Sequence, residues 1–255
     1  MNKNKTTIFQ NLLNDFRTIS LDELDKVKLL DRKDTKFVFN QNQLPSILEK
    51  IKPYYRILEI NNFPIFNYDN TYFDTNDFLF YNQHHNEHRK RFKVRFRRYS
   101  SSQSFFEIKI KSNKNRTIKK RMLVNEKNKR LGKQEKNLVS DIIGLNPTQL
   151  TPILDIQFSR ITLTDNNFSE RLTIDTNLSV KNGTSSEIFD QLVISEIKQK
   201  EYNPKSEFVQ ILRDLNIPEM RFSKYCMGML HVNKEIKYNR FKPKLLQINK
   251  ILIHV

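Results

Sequence analysis

Alternation with a period of two dominates the chain. In RFKVRFRRY, residues 91–99, Arg91, Lys93, Arg95 and Arg97 fall on one parity while Phe92, Val94 and Phe96 fall on the other, which predicts a strand with one cationic and one apolar face. FFEIKIK (105–111) repeats the design, with Glu107, Lys109 and Lys111 opposing Phe106, Ile108 and Ile110. After a polar SNKN turn, RTIKKRMLV places Thr117, Lys119 and Arg121 on one face. The pattern returns in RLTID, where Arg171, Thr173 and Asp175 oppose Leu172 and Ile174, and in VISEIKQK, where Glu196, Lys198 and Lys200 oppose Val193, Ser195 and Ile197. TKFVF (35–39), YRILEI (55–60), NTYFDT (70–75) and ILDIQFSR (153–160) bring the total to about nine strands, with mostly short connections that favour antiparallel pairing.

Helical signals fall between the strands. Ser20 with Glu23 forms a capping box ahead of a helix to about Leu30, and Pro45 suits the first turn of a helix ending near Pro53. Lys133 to Ile143, closed by Gly144, reads as helix, as does Pro204 to Leu215, with Phe208, Ile211, Leu212 and Leu215 at helical spacing. Ser223 is placed to cap a last helix in which Met227 and Met229 read as core packing. Strands in runs, with scattered helices and no βαβ alternation, give an α+β class.

Charge sharpens this picture. The 255 residues carry a formal net charge of +17, which points to a polyanionic partner. The excess is concentrated: residues 88–121 hold fourteen Lys and Arg against the single acid Glu107. Like charges facing each other across strands destabilise by up to about 1 kcal/mol per pair, so repeating that arrangement calls for a compensating anion. Curling the sheet into a barrel with its cationic faces inward would line a channel with Arg and Lys and leave the apolar faces for helices to cover. Because Phe92 and Phe96 lie on the parity opposite to Arg95 and Arg97, the pattern argues against base stacking and for a ligand recognised through phosphate alone, by guanidinium forks. No specific nucleic-acid partner is expected.

Several classes drop out. Gly132, Gly144, Gly183 and Gly228 occur in no GxGxxG or GxxxxGK[ST] context, so a backbone phosphate cradle of the Rossmann or Walker type is absent. Cys226 is the sole cysteine, which excludes an intrachain disulfide framework and a cysteine-based zinc cluster. No apolar stretch reaches the roughly 18 residues of a spanning helix, and the N-terminal residues lack an apolar signal-peptide core. The expectation is a soluble cytoplasmic protein with no transmembrane segment of its own. Glu196, a carboxylate among cations, is open to two readings: a structural ion-pair partner, or a ligand for Mg²⁺ or Mn²⁺ shared with substrate phosphates.

At this point DTKFVF (34–39), YFDTNDFLFY (72–81), RFKVRFRRY (91–99), FFEIKIK with RTIKKR to 121, FSR (158–160), RLTIDTNL (171–178), SEIK (195–198) and FSKYCMG (222–228) together resemble the VTC (vacuolar transporter chaperone) domain of polyphosphate polymerases, a branch of the triphosphate tunnel metalloenzymes. The resemblance implies an antiparallel eight-stranded β-barrel forming a tunnel covered by helices. It implies a helical segment at 1–30, the tunnel domain at 31–235 and a tail or helix packing on the barrel at 236–255. It also implies a metal-dependent phosphotransferase that moves the γ-phosphate of ATP onto a growing inorganic polyphosphate chain, with Mn²⁺ or Mg²⁺, and possible recruitment by a membrane protein partner. Matching positions give catalytic roles to Arg95, Arg97, Lys109 and Lys119, phosphate-binding roles to Lys36, Arg121, Arg160, Arg171, Lys198 and Lys224, and the metal to Glu196. The alternatives are a tripolyphosphate or nucleoside triphosphate hydrolase of the same fold, with Glu107 or Glu196 orienting water, and a non-catalytic polyphosphate sensor.

Departures from the pattern are Phe158, where the family often carries Tyr, and His84-His85-Asn86-Glu87-His88, which replaces a Gly-containing loop and reads as a solvated turn rather than a zinc site. Asp74 reads as a turn residue rather than a second metal ligand. Arg160 shares its parity with apolar Leu154, Ile156 and Phe158, which suggests action from a strand end.

Overall fold

The structure is a computed structural model that describes residues 11–25, 32–99, 103–112, 117–125, 129–183 and 185–253. The expected end of the first helix near Leu30 and most of the SNKN turn lie outside the described residues.

Eleven strands form one sheet: β1 (Arg17–Ile19), β2 (Lys33–Asn40), β3 (Tyr55–Leu58), β4 (Ile65–Asp74), β5 (Arg91–Tyr99), β6 (Ser104–Lys111), β7 (Thr117–Val124), β8 (Thr151–Asp165), β9 (Glu170–Asn182), β10 (Ser185–Phe189) and β11 (Leu192–Gln199). Eight make a continuous path, β2-β11-β9-β8-β4-β5-β6-β7, antiparallel throughout. The expected closed barrel is corrected here. Among the described residues β7 and β2 are not paired, so the sheet is open along one seam. β2 instead meets the segment before the last helices, through a bridge from Phe37 to Glu219 and a bond from the Met220 amide to the Lys36 carbonyl.

The open sheet is nevertheless strongly curled. β2 and β6 are six strand spacings apart on the path, about 29 Å on a flat sheet. Yet Lys109 on β6 feels the charges of Lys36 and Asp34 on β2 and of Glu196 on β11. Only a sheet bent back on itself brings those groups within each other's field.

Helices cover the convex side where the sequence puts apolar residues. α1 is Leu21–Asp25, α2 Leu44–Ile51, α3 Leu79–His85, α4 Lys133–Ile143, α5 Glu207–Asp214, α6 Lys224–Val232 and α7 Lys242–Ile253. The Ser20–Glu23 capping box forms, with the Ser20 amide donating to Glu23 Oε2 at 2.9 Å, and α4 ends on Gly144 at φ 73°. α2 and α5 pack on Phe37, Phe39, Leu172, Ile174, Val193 and Ile197. α4 packs through Val139 on Phe92, Val94, Phe96, Phe106 and Ile108.

α6 behaves differently. Tyr225, Cys226, Met227 and Met229 pack on Val38, Tyr72, Leu154, Ile156, Leu178, Val180 and Ile194. Those strand residues share the face of Lys36, Arg95 and Arg160, so α6 lies across the concave side and fills one end of it. Gly228 permits the approach: a Cβ there would stand 3.0 Å from both Leu154 Cδ2 and Val180 Cγ1.

This arrangement explains the parity of Arg160. Leu154, Ile156 and Phe158 are concave residues too, apolar because a helix covers them. On β9 the parity switches. Arg171, Thr173 and Asp175 are concave, then a register shift at Asn177, whose φ is 52°, turns Leu178 and Val180 to the same side.

Candidate functional site

The uncovered part of the concave face is polar, and its side chains gather into three clusters. The first lies on β5, β6 and β7, where cross-strand register sets Arg95 opposite Glu107 and Glu107 opposite Arg121. Arg95 Nε and Nη2 both donate to Glu107 Oε2, at 2.8 and 2.6 Å, and Nη1 donates to the Tyr72 hydroxyl at 2.8 Å. Lys119 pairs with the other carboxylate oxygen, and Arg97 Nε stands 4.0 Å from Oε2 while donating to Asn70 Oδ1 at 2.9 Å. Burial opposes charge on Glu107, which is 2% exposed, but Arg95, Arg97 and Lys119 prevail and hold its pKa down at about 2.

The second cluster lies on β2 and β11. Glu196 faces Lys36 across the ladder and is clasped from both sides, Oε1 by Lys36 at 2.9 Å and Oε2 by Lys198 at 2.7 Å. Enclosure would raise its pKa, but the two ammonium groups hold it well below the ordinary value.

The third cluster centres on Asp175 of β9. Arg160 donates to it bidentately, at 2.6 and 2.8 Å, and Lys224, the first residue of α6, pairs with the same carboxylate. Burial is outweighed there by the two cations, and the Asp175 pKa falls to about 2. Phe158, without a hydroxyl, offers its ring face instead: Arg160 and Lys224 sit over it at 5.2 and 4.5 Å.

Lys109 joins none of the clusters. Among the described residues it forms no ion pair, and enclosure within the curl, reinforced by Lys93 and Lys36, pushes its pKa down to about 8. Lys93, beside it, donates to Ser223 Oγ at 2.9 Å, and Ser223 in turn caps α6 by accepting from the Cys226 amide at 3.2 Å. The N-terminus of α6 therefore reaches into the cationic part of the lumen.

Most of the expected residues are thus brought together: Arg95, Arg97 and Lys119 around one carboxylate, Lys36 and Lys198 around a second, Arg160 and Lys224 around a third, and Lys109 between the first two groups. Arg121 is exposed on β7 and lies over the Phe105 ring at 5.0 Å. Arg171 is turned aside, its guanidinium donating to the Leu24 carbonyl of α1 at 2.8 Å.

The single-chain pattern gave Asp175 and Lys93 no role. Asp175 could have been found as the one acid sharing a face with Arg171. The aromatic expectation also changes. Phe92 and Phe96 do face the convex side, but Tyr68, Tyr72 and Phe158 are concave, and Arg97 and Arg160 lie over Tyr68 at 5.3 and 4.9 Å. Cations and aromatic rings therefore share the lumen.

Asp74 is fully buried and accepts from the amides of Thr75, Phe80 and Tyr81 and from the Tyr225 hydroxyl at 2.5 Å, which fixes α3 and α6 to β4. His84 and His85 close α3 rather than forming a solvated turn: His84 Nε2 contacts the Phe92 carbonyl at 3.1 Å, and His85 is buried against Tyr81 and Phe241. Among the described residues, no group of three His, Cys, Asp or Glu is placed to hold a metal, and no helix is long and apolar enough to cross a membrane.

A curled antiparallel sheet whose concave face is lined by Arg and Lys agrees with the tunnel that the sequence resemblance implies. The chain belongs to the VTC domain family, which matches residues 31–233. Among solved structures it is similar to a Hippeastrum protein described as an adenylyl cyclase candidate with a dominant triphosphatase activity, at 12% identity and a TM-score of 0.50, over 77% of this chain and 94% of that one. No curated protein sequence matches it.

Proposed function

We propose that this chain is a metal-dependent polyphosphate polymerase that transfers the γ-phosphate of ATP to a growing inorganic polyphosphate chain. The observation that carries the reading is the imbalance of the lumen. Glu107, Glu196 and Asp175 are each shared among two or three cations, and Lys109, with the outer nitrogens of Arg97, is left with donors to spare. An enclosed group of like charges is stable only with anions present, and phosphates supply them without asking for base-specific contacts.

The chemistry asks little more of the protein. The terminal oxygen of a polyphosphate chain, ionised near neutral pH, attacks the γ-phosphorus. The bond from that phosphorus to the β–γ bridging oxygen breaks, and ADP leaves with the electron pair. Arg97 and Lys109 would hold the equatorial oxygens, with Lys119 and Arg95 able to turn from Glu107 towards the developing charge. Lys36, Lys198, Arg160 and Lys224 would continue the track along the lumen, with Arg121 and Arg171 at its rims.

Glu196 fits a divalent ion that arrives with phosphate oxygens, since Mg²⁺ and similar ions often take only one or two protein carboxylates. It does not by itself make a resident protein cage. When bound, Mn²⁺ or Mg²⁺ would neutralise phosphate oxygens during transfer. Lys36 or Lys198 would then release one carboxylate oxygen. A cytoplasmic setting, with recruitment to a membrane by a partner protein, accompanies this reading.

Hydrolysis of a triphosphate is the second reading, favoured by the blind end that α6 gives the lumen, which suits a short anion. Against it, Glu107 is buried and ion-paired with Arg95 and Lys119, which disfavours its orienting water. Incubation with ATP and Mn²⁺, with products resolved by length, separates the two. The expected result is ADP with chains longer than the input, sooner when short polyphosphate is added. Stoichiometric orthophosphate without longer chains would establish hydrolysis, and tight polyphosphate binding without turnover would establish a sensor.

A further inference from the structure

The concave row changes character at one end. Past Arg97 on β5, Glu107 on β6 and Arg121 on β7, in the same phase, stand Tyr99, Phe105 and Leu123, beside Tyr68 of β4, which Arg97 and Arg160 flank. Tyr99 is opposite Tyr68, and Phe105 is opposite both Arg97 and Leu123. The rings touch in sequence, Tyr68 to Tyr99 at 5.0 Å and Tyr99 to Phe105 at 5.7 Å. Tyr99 and Phe105 are partly exposed and Leu123 is 62% exposed, and among the described residues no helix is seen packing over them.

A lone exposed hydrophobic side chain is ordinary. A connected aromatic ledge bordered by guanidinium groups is not, and here Arg97 lies over Tyr68 at 5.3 Å and Arg121 over Phe105 at 5.0 Å. An inorganic phosphate chain gains nothing from wet aromatic rings. The ligand that matches both surfaces carries a flat apolar ring at one end and a run of anionic charge at the other. A nucleoside triphosphate is such a ligand, with its phosphates on the arginines and its base on the rings.

We propose that Tyr99 and Phe105 form a nucleobase-stacking ledge at the mouth of the cationic lumen, so that a nucleoside triphosphate binds more tightly than inorganic triphosphate, and a purine more tightly than a pyrimidine. This rests on the proposed binding of triphosphates in the lumen. The ledge selects ring area, since stacking is tolerant of base identity.

The test is calorimetric titration of the full chain with an ATP analogue carrying a non-hydrolysable β–γ imido bridge, the matching CTP analogue, and inorganic tripolyphosphate without divalent metal. Tyr99→Ala with Phe105→Ala should weaken the ATP analogue about tenfold and leave tripolyphosphate within about twofold. Phe105→Leu, which keeps apolar bulk but removes the flat ring, should show the same asymmetry if the double variant does not fold, and Tyr99→Phe should bind as the wild type does. An equal loss for both ligands, or none for the ATP analogue, overturns the ledge while the lumen reading stands. A wild-type chain that binds neither ligand overturns both.

Discussion

Arg95 and Glu107 face each other in register across β5 and β6, and two guanidinium nitrogens close on a single carboxylate oxygen at 2.8 and 2.6 Å. The one acid in the most basic stretch of the chain is therefore the hub that allows Arg95, Arg97 and Lys119 to stand together. Deleting arginines there is not the simple relief of repulsion that the charge pattern suggests, because a carboxylate that is 2% exposed loses its main partner.

Arg95→Ala is accordingly expected to destabilise the fold by about 3 kcal/mol, the lower end of the cost of orphaning one member of a buried pair. Denaturant unfolding measures it. Glu107→Gln leaves the three cations unneutralised, and its melting temperature should rise more than that of the wild type on adding tripolyphosphate, which binds only the folded lumen. Acid dependence follows with a definite sign. Glu107 and Asp175 have folded pKa values lowered to about 2 from 4.5 and 3.8, so their contribution is complete above those ordinary values and is lost as pH falls through about 2. An acid titration of stability in which Glu107→Gln shows a smaller loss than the wild type, the share of Asp175 remaining, checks the assignment.

Lys109 acts on the alkaline side, together with Lys119. It loses its proton near pH 8 when folded, against 10.5 for an ordinary lysine. Between those values the unfolded chain holds the proton and the folded chain does not, so this group's effect on folding stability improves as pH rises, while polyphosphate affinity declines. The lysine keeps solvent contact in the lumen, which tempers the stability effect but not its sign. Binding titrations from pH 7 to about 9.5 should show a break near 8, which Lys109→Arg, charged throughout, should reduce and not abolish, because burial also lowers the Lys119 pKa to about 8.

Glu196→Gln separates the two readings of that carboxylate. With the charge gone, Lys36 and Lys198 are released to phosphate, so polyphosphate binding without metal should hold or strengthen. Turnover should fall at least tenfold, an order-of-magnitude loss, with the Mn²⁺ titration midpoint shifted upward. Unchanged metal dependence would leave Glu196 as an ion-pair partner of the two lysines alone.

The local pattern of residues carried far. Period-two alternation located β5, β6, β9 and β11, the face of their cations and the apolar face that α4, α2 and α5 cover, because a strand's two faces are decided residue by residue. The concentration of charge from 88 to 121 required an enclosed anion, because repeated like charge across a ladder is unstable alone. What the chain could not express locally is anything that depends on how the sheet bends. The open seam between β7 and β2, the nearness of Lys109 to Lys36, and α6 on the concave face all arise from packing between segments far apart in sequence.

The same holds for the acids. Glu107, Glu196 and Asp175 each became the centre of a cluster through partners on neighbouring strands or on α6, which strand periodicity alone cannot identify. The bulge at Asn177 reversed the phase of β9, and covered apolar residues disguised Arg160, so parity counted along one strand misjudged which side was inward. Tyr99 and Phe105 shared the phase of Arg97 and Glu107 from the start. Only the register between β4, β5 and β6 set them beside Tyr68 as one surface, because side chains on different strands become neighbours through backbone pairing and not through sequence distance.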